Sequence, residues 1–208
     1  MFEILFYFVF WEYLQDFISI YITNDEVKLT RNCFGLFHAL FCCGFYLLYY
    51  NFSVNFINDF YYFSHSYFLY DCYFMLYNYS SFFNRKNISN LVLLVHHAVA
   101  LFFLNKIFDH GHPSIISYVL YLGELSNIPG YFSYYFIKTK NSLSNISVIC
   151  QTFIYAYIRI ICMGNFLLYA NDFPLYWVIS FSLIYTMGVF WSFNLLNQTK
   201  QIIKNIYN

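Results

Sequence analysis

Residues Asn90 to Phe108 read NLVLLVHHAVALFFLNKIF. A helix that crosses a bilayer needs roughly 20 predominantly apolar residues, and this stretch is about that long. Two adjacent histidines, His96 and His97, lie inside it. At about 1.5 Å of rise per residue they sit roughly 10 Å from the start of the helix. Ionisable groups at such depth are costly and turn toward a bundle interior or a water-filled cavity. The stretch therefore predicts both a membrane helix and a polar centre for it to face.

Outward from this run, further apolar runs fall at 2–22, 32–50, 60–79, 114–137 and 147–170, with a last at 174–197. With 90–108 they give seven candidate spans joined by short connections. The expected fold is an all-α polytopic membrane helix bundle. Composition agrees: 61% of the 208 residues are hydrophobic, 10% are charged, and the formal net charge is zero. A soluble domain carries about 25% charged residues, so this chain lacks the charge to cover a water-facing surface. There is no basic excess to neutralise phosphates, so no nucleic-acid partner is suggested. The six cysteines lie in or beside apolar runs without a CxxC pair. They read as small hydrophobes rather than as a disulfide framework or a metal site.

The connections carry the orientation. Lys28 and Arg31 precede the second run, Arg85 and Lys86 the fourth, and Lys138 and Lys140 the sixth, while Lys200 and Lys204 follow the last. If the runs alternate, eight of the ten cationic residues share one face. The positive-inside rule assigns that face, and with it the C-terminus, to the cytoplasm. The first run has no cationic leader or small-residue cleavage site and reads poorly as a signal peptide. Glu12, Gln15, Asp16 and Ser19 share one of its faces, which suits a span packed on protein or a helix lying in the interface. His65, His110 and His112 fall near the opposite boundary.

Four other runs each bear one ionisable group at depth: His38, Asp71, Glu124 and Arg159. Adjacent residues on a helix point about 100° apart. One of His96 and His97 should therefore face the cavity, with the other bracing it. Histidine titrates near neutrality and can act as general acid or base. An unpaired buried carboxylate is costly, so Arg159 is expected to pair with Asp71 or Glu124. Tyr67 shares a face with Asp71, and Asn127 with Glu124. Pro129 within the fifth run removes a helix hydrogen bond, and Ser126 and Ser133 are candidate partners for the freed carbonyl. Trp191 and Asn194 read as interfacial anchors or packing groups.

The order of these elements resembles the TLC domain, the family named for TRAM, LAG1 and CLN8. The matching elements are RNCFGLFHA (31–39), YFLYD (67–71), His96–His97, ELSNIP (124–129), Arg159, and FWSFN (190–194). The resemblance covers about residues 27–202, leaving 1–26 as an N-terminal membrane helix and 203–208 as a short cytoplasmic tail. It implies six core spans plus the N-terminal one, in the endoplasmic reticulum or a related membrane. Ceramide synthases of this family join an acyl chain from acyl-CoA to a sphingoid amine. Their paired histidines are followed, one helix later, by two acids three apart. His96, His97 and Glu124 match, but Asn127 stands where the second acid would be. The chain is thus more similar to the non-synthase members, which are linked to membrane lipid composition. The resemblance implies a lipid-handling protein without cofactor or metal, with His38, Tyr67, Asp71, Asn127 and Arg159 lining a lipid cavity. The alternative is a sphingosine N-acyltransferase that uses His96, His97 and Glu124 on acyl-CoA.

Overall fold

In a computed structural model, the structure describes residues 2–52, 57–83, 88–109, 113–168 and 173–207. The expectations for Arg85, Lys86, His110 and His112 lie outside the described residues. Every regular element among the described residues is helical: α1 (Phe2–Ile18), α2 (Val27–Phe52), α3 (Ile57–Tyr77), a short α4 (Tyr79–Phe82), α5 (Ile88–Asp109), α6 (Pro113–Lys138), α7 (Ser144–Ala156), α8 (Met163–Leu168) and α9 (Leu175–Tyr207). Two wider π-helical segments occur, Ser19–Thr23 at the end of α1 and Tyr157–Cys162 between α7 and α8. The latter makes α7 and α8 one continuous rod.

Among the described residues, three stretches are long and apolar enough to cross a membrane: Val27–Asn51, Ser144–Leu168 and Leu175–Asn205. A fourth, Asn90–Lys106, is apolar but shorter. Large side chains such as Phe153, Tyr157 and Phe193 project outward, which suits lipid surroundings rather than water.

The rods close into a ring. α2 packs on α6, α6 on the α7–α8 rod, that rod on α9, α9 on α5, α5 on α3, and α3 back on α2. α1 stands outside, against α3 and α2. Trp11 pins it there, fully buried among Phe63, Tyr67 and His38, with its indole N–H donating to Ser66 Oγ at 3.1 Å. Gln15, on the predicted polar face of α1, accepts from the Tyr70 hydroxyl at 2.9 Å.

Turn chemistry explains the sharp entry into α2. Asn24 and Asp25 adopt left-handed φ of 49° and 60°, a conformation that Asn and Asp tolerate better than other side chains. Glu26 then accepts from the Leu29 backbone N–H at 2.5 Å, which caps the first turn. The helix therefore begins at Val27, ahead of the expected 32, and carries Arg31 inside it. Pro129 is accommodated within α6. Here the expectation for the serines fails. Ser133 donates to the Pro129 carbonyl at 2.9 Å and Ser126 to the Gly123 carbonyl at 2.6 Å, so each serves the turn its own position reaches.

Candidate functional site

The ring encloses a cavity of about 930 Å³. All six rods of the ring contribute to its wall and α1 does not. Lys28 at the start of α2, Asn90 at the start of α5, Lys138 at the end of α6 and Gln198 toward the end of α9 line one end. That end is where the cationic helix termini gather. Glu26 and Lys138 join across it at 3.0 Å, tying the start of α2 to the end of α6.

Asp71, with no exposed surface, is the anchor of one wall. Arg31 grips it with both arms: Nε to Oδ1 at 2.7 Å and Nη2 to Oδ2 at 2.5 Å. Arg31 had been expected in a connection. Its signal is the stripe Arg31, Gly35, His38 and Cys42, spaced to fall on one face of α2. His97 brings Nδ1 to 3.0 Å from Asp71 Oδ2. The approach is close without the alignment of a full hydrogen bond. The opposite ring edge carries Nε2, and His97 lines the cavity.

His96 lines it too. The expected brace between the histidines is absent: His96 meets the edge of Trp191 at 5.5 Å, and its Nδ1 is buried without a partner. Asp71 from the neighbouring helix is what sits against His97 instead. Trp191 and Asn194, expected as interfacial anchors or packing groups, line the cavity as well, and Trp191 packs against His96.

Glu124 anchors the facing wall. His38 Nδ1 lies 3.4 Å from its Oε1, and Asn127 donates Nδ2 to its Oε2 at 3.3 Å. His38 is itself fully buried, stacked on Tyr67 at 3.7 Å with the rings 8° apart, and its Nε2 is 3.2 Å from Cys42 Sγ. It stands behind the wall, with Tyr67 in front.

Arg159 makes no ion pair with a carboxylate among the described residues, contrary to the expected pairing with Asp71 or Glu124. Arg31 already holds Asp71. The guanidinium is instead spread over neutral acceptors: Ser126 Oγ at 2.8 Å, the Gly123 carbonyl at 3.1 Å and Asn127 Oδ1 at 3.3 Å. It also lies 5.3 Å from the Tyr155 ring. Asn127 therefore bridges the two charges, accepting from Arg159 with its oxygen and donating to Glu124 with its nitrogen. Two glycines make room in this wall and its neighbour. A Cβ on Gly188 would come 3.0 Å from Arg159 Cδ, and one on Gly35 would come 2.9 Å from Tyr131 Cε1.

Of the residues singled out in the sequence, His96, His97, Glu124, Tyr67, Asn127 and Arg159 face the cavity, while Asp71 and His38 support it from behind. No significant match is found to models of known protein families, to curated proteins or to solved structures.

Proposed function

We propose that this chain is a multi-pass membrane protein that binds a lipid in its central chamber, as a TLC-type protein of the endoplasmic reticulum that acts on membrane lipid composition. In this reading the seven rods each cross the bilayer, the N-terminal rod stands outside a six-helix core, and the cation-rich end with the C-terminus faces the cytoplasm. The observation that carries it is the chamber itself. Its volume is that of a small-molecule site, roughly 300–1,000 Å³, and its wall holds buried ionisable groups in a bundle whose outside is apolar. Such groups cost too much in a membrane to serve as filler.

The test is lipid retention. Gly130 lines the chamber, and its added Cβ would meet only the flexible end of Gln151. The full chain, purified in mild detergent, should carry a defined lipid by mass spectrometry, and Gly130→Leu should reduce its amount several-fold. Identical lipid profiles for both would overturn the binding reading. Labelling of single cysteines at either end of the chain tests the topology, with opposite sides expected.

A second reading, N-acyl transfer from acyl-CoA to a sphingoid amine, is favoured by the Asp71–His97 arrangement. There His97 Nε2 would take the proton of the amine as its nitrogen attacks the thioester carbonyl; the C–S bond breaks and the thiolate leaves with a proton. Glu124, backed by His38, would face His97 from the other wall. Incubation with acyl-CoA and sphingoid base separates the readings. Product that disappears in His97→Ala favours the enzyme, and retained lipid without turnover favours the binder.

A further inference from the structure

We infer that the chamber seats the carboxylate head of a lipid, with Arg159 as its charged donor. This rests on the lipid-binding reading and adds the chemistry of the head.

Arg159 is only 2% exposed, yet it touches no carboxylate among the described residues. Ser126, Gly123 and Asn127 occupy its Nε and Nη2. Nη1 meets only the Met163 sulfur, at 3.8 Å. A thioether is a weak acceptor, and the guanidinium NH2 carries two N–H groups. At least one of them has no oxygen to donate to. A buried cation short of partners is costly. A carboxylate in the chamber that Arg159 borders relieves the cost, because it accepts without donating and its bonds to a guanidinium are charge-assisted.

His96 supplies a second donor nearby. Its ring meets Trp191 at 5.5 Å, and Trp191 stands one helical turn from Gly188, which packs on Arg159. His96 Nδ1 is buried without a partner, while the side chain borders the chamber. With a proton on Nδ1 it donates, whether the ring is neutral or charged.

The field of the walls has the matching sign. Lys28, Arg31, Lys138 and Arg159 line the chamber, and Glu124 lines it with them. Asp71 stands behind Arg31, and Glu26 beside Lys138. Among the described residues four cations thus meet three carboxylates. Protonation of a histidine or of Glu124 adds to the positive excess and never reverses it. Two donors and a small excess suit the two oxygens and single charge of a carboxylate. A phosphate monoester brings three oxygens and about two charges, and an amine brings the wrong sign.

The test reads Trp191 emission as the difference between the full-length protein and its Trp191→Phe variant in lipid nanodiscs. The pH is about 9, where a carboxyl is ionised and an amine still protonated. The probes are one dibrominated stearoyl chain ending as a carboxylic acid, an alcohol, a primary amine or a phosphate monoester. The acid should quench at about ten-fold lower mole fraction than each of the others. Met163→Gln, whose amide oxygen can take the Nη1 proton bond, should cut that preference to about three-fold or less. If that variant does not fold, the wild-type series alone decides. Another head that quenches as well as the acid overturns the inference and leaves lipid binding intact, as does an undiminished preference in folded Met163→Gln. Displacement of the brominated acid by millimolar acetate marks a site for small soluble acids and overturns the lipid form of the inference. Absence of Trp191-dependent quenching by all four probes overturns the binding reading beneath it, and the inference with it.

Discussion

Arg31 and Asp71 meet in a fork, two near-parallel N–H···O contacts of 2.7 and 2.5 Å that join the second turn of α2 to the middle of α3. This pair sets the position of the His97 ring, whose Nδ1 rests 3.0 Å from the same carboxylate. One wall of the chamber thus depends on a residue that sequence alone would place in a connecting loop.

The pair should show strong coupling. Breaking a buried ion pair from one side leaves an uncompensated charge and costs about 3–5 kcal/mol. Asp71→Leu and Arg31→Met should each lower stability by an amount of that order. The double variant Arg31→Met with Asp71→Leu should lose much less than the sum. Thermal unfolding in detergent of the two singles and the double checks this, and additive losses would show the pair to be uncoupled.

Gly188 and Gly123 both border Arg159, yet they should respond differently. A methyl on Gly188 comes within 3.0–3.4 Å of Cβ, Cγ and Cδ of Arg159, while one on Gly123 meets atoms only at 3.9 Å. Gly188→Ala should cost about 1–3 kcal/mol through overpacking and reduce lipid retention by displacing Arg159. Gly123→Ala should fall within about 1 kcal/mol of wild type, helped by the lower backbone entropy of alanine. Melting temperatures of the two variants make the comparison.

Thr152 Oγ1 lies 2.8 Å from Thr199 Oγ1 and donates to the Val148 carbonyl, fastening the α7–α8 rod to α9. Hydrogen bonds between membrane helices average about 0.6 kcal/mol, with a maximum near 1.7. Thr152→Val should destabilise by that range and leave the chamber and its bound lipid unchanged, as read by urea or detergent titration alongside lipid analysis.

Lys138 at the chamber mouth offers a pH-dependent contact. Its hydrogen bond to Glu26 holds the ammonium above its ordinary value of 10.5. The pair therefore contributes fully at neutral pH and is lost as pH rises through that elevated value. Both partners are substantially exposed, so the contribution at neutral pH is under about 1 kcal/mol and weakens in salt. The stability difference between wild type and Lys138→Met should shrink above the ordinary value and in high salt. A difference that persists unchanged would show that Lys138 stabilises by packing and not by its charge.

The apolar runs could be read from the chain because a lipid-facing helix must be greasy along its whole length, whatever it packs against. Runs at 90–108 and 114–137 correspond closely to α5 and α6. His97, Glu124 and Arg159 were visible for the same reason: an ionisable residue stands out in an apolar run. Partner choice was not visible. Arg159 and Asp71 lie in separate rods, and their sequence positions give no hint that Arg31 reaches Asp71 first.

Sequence by itself determined the helical class and the short list of buried polar groups, since both follow from the cost of placing each residue in hydrocarbon. Only the tertiary structure decided that six rods enclose the chamber and one stands outside, and that Asn127 joins Glu124 to Arg159. It alone gave His97 to Asp71 and His38 to Glu124. Which charge meets which depends on the rotation and height of whole helices, and those are set by packing contacts far apart in the chain, such as Gly35 against Tyr131 and Trp11 against Ser66.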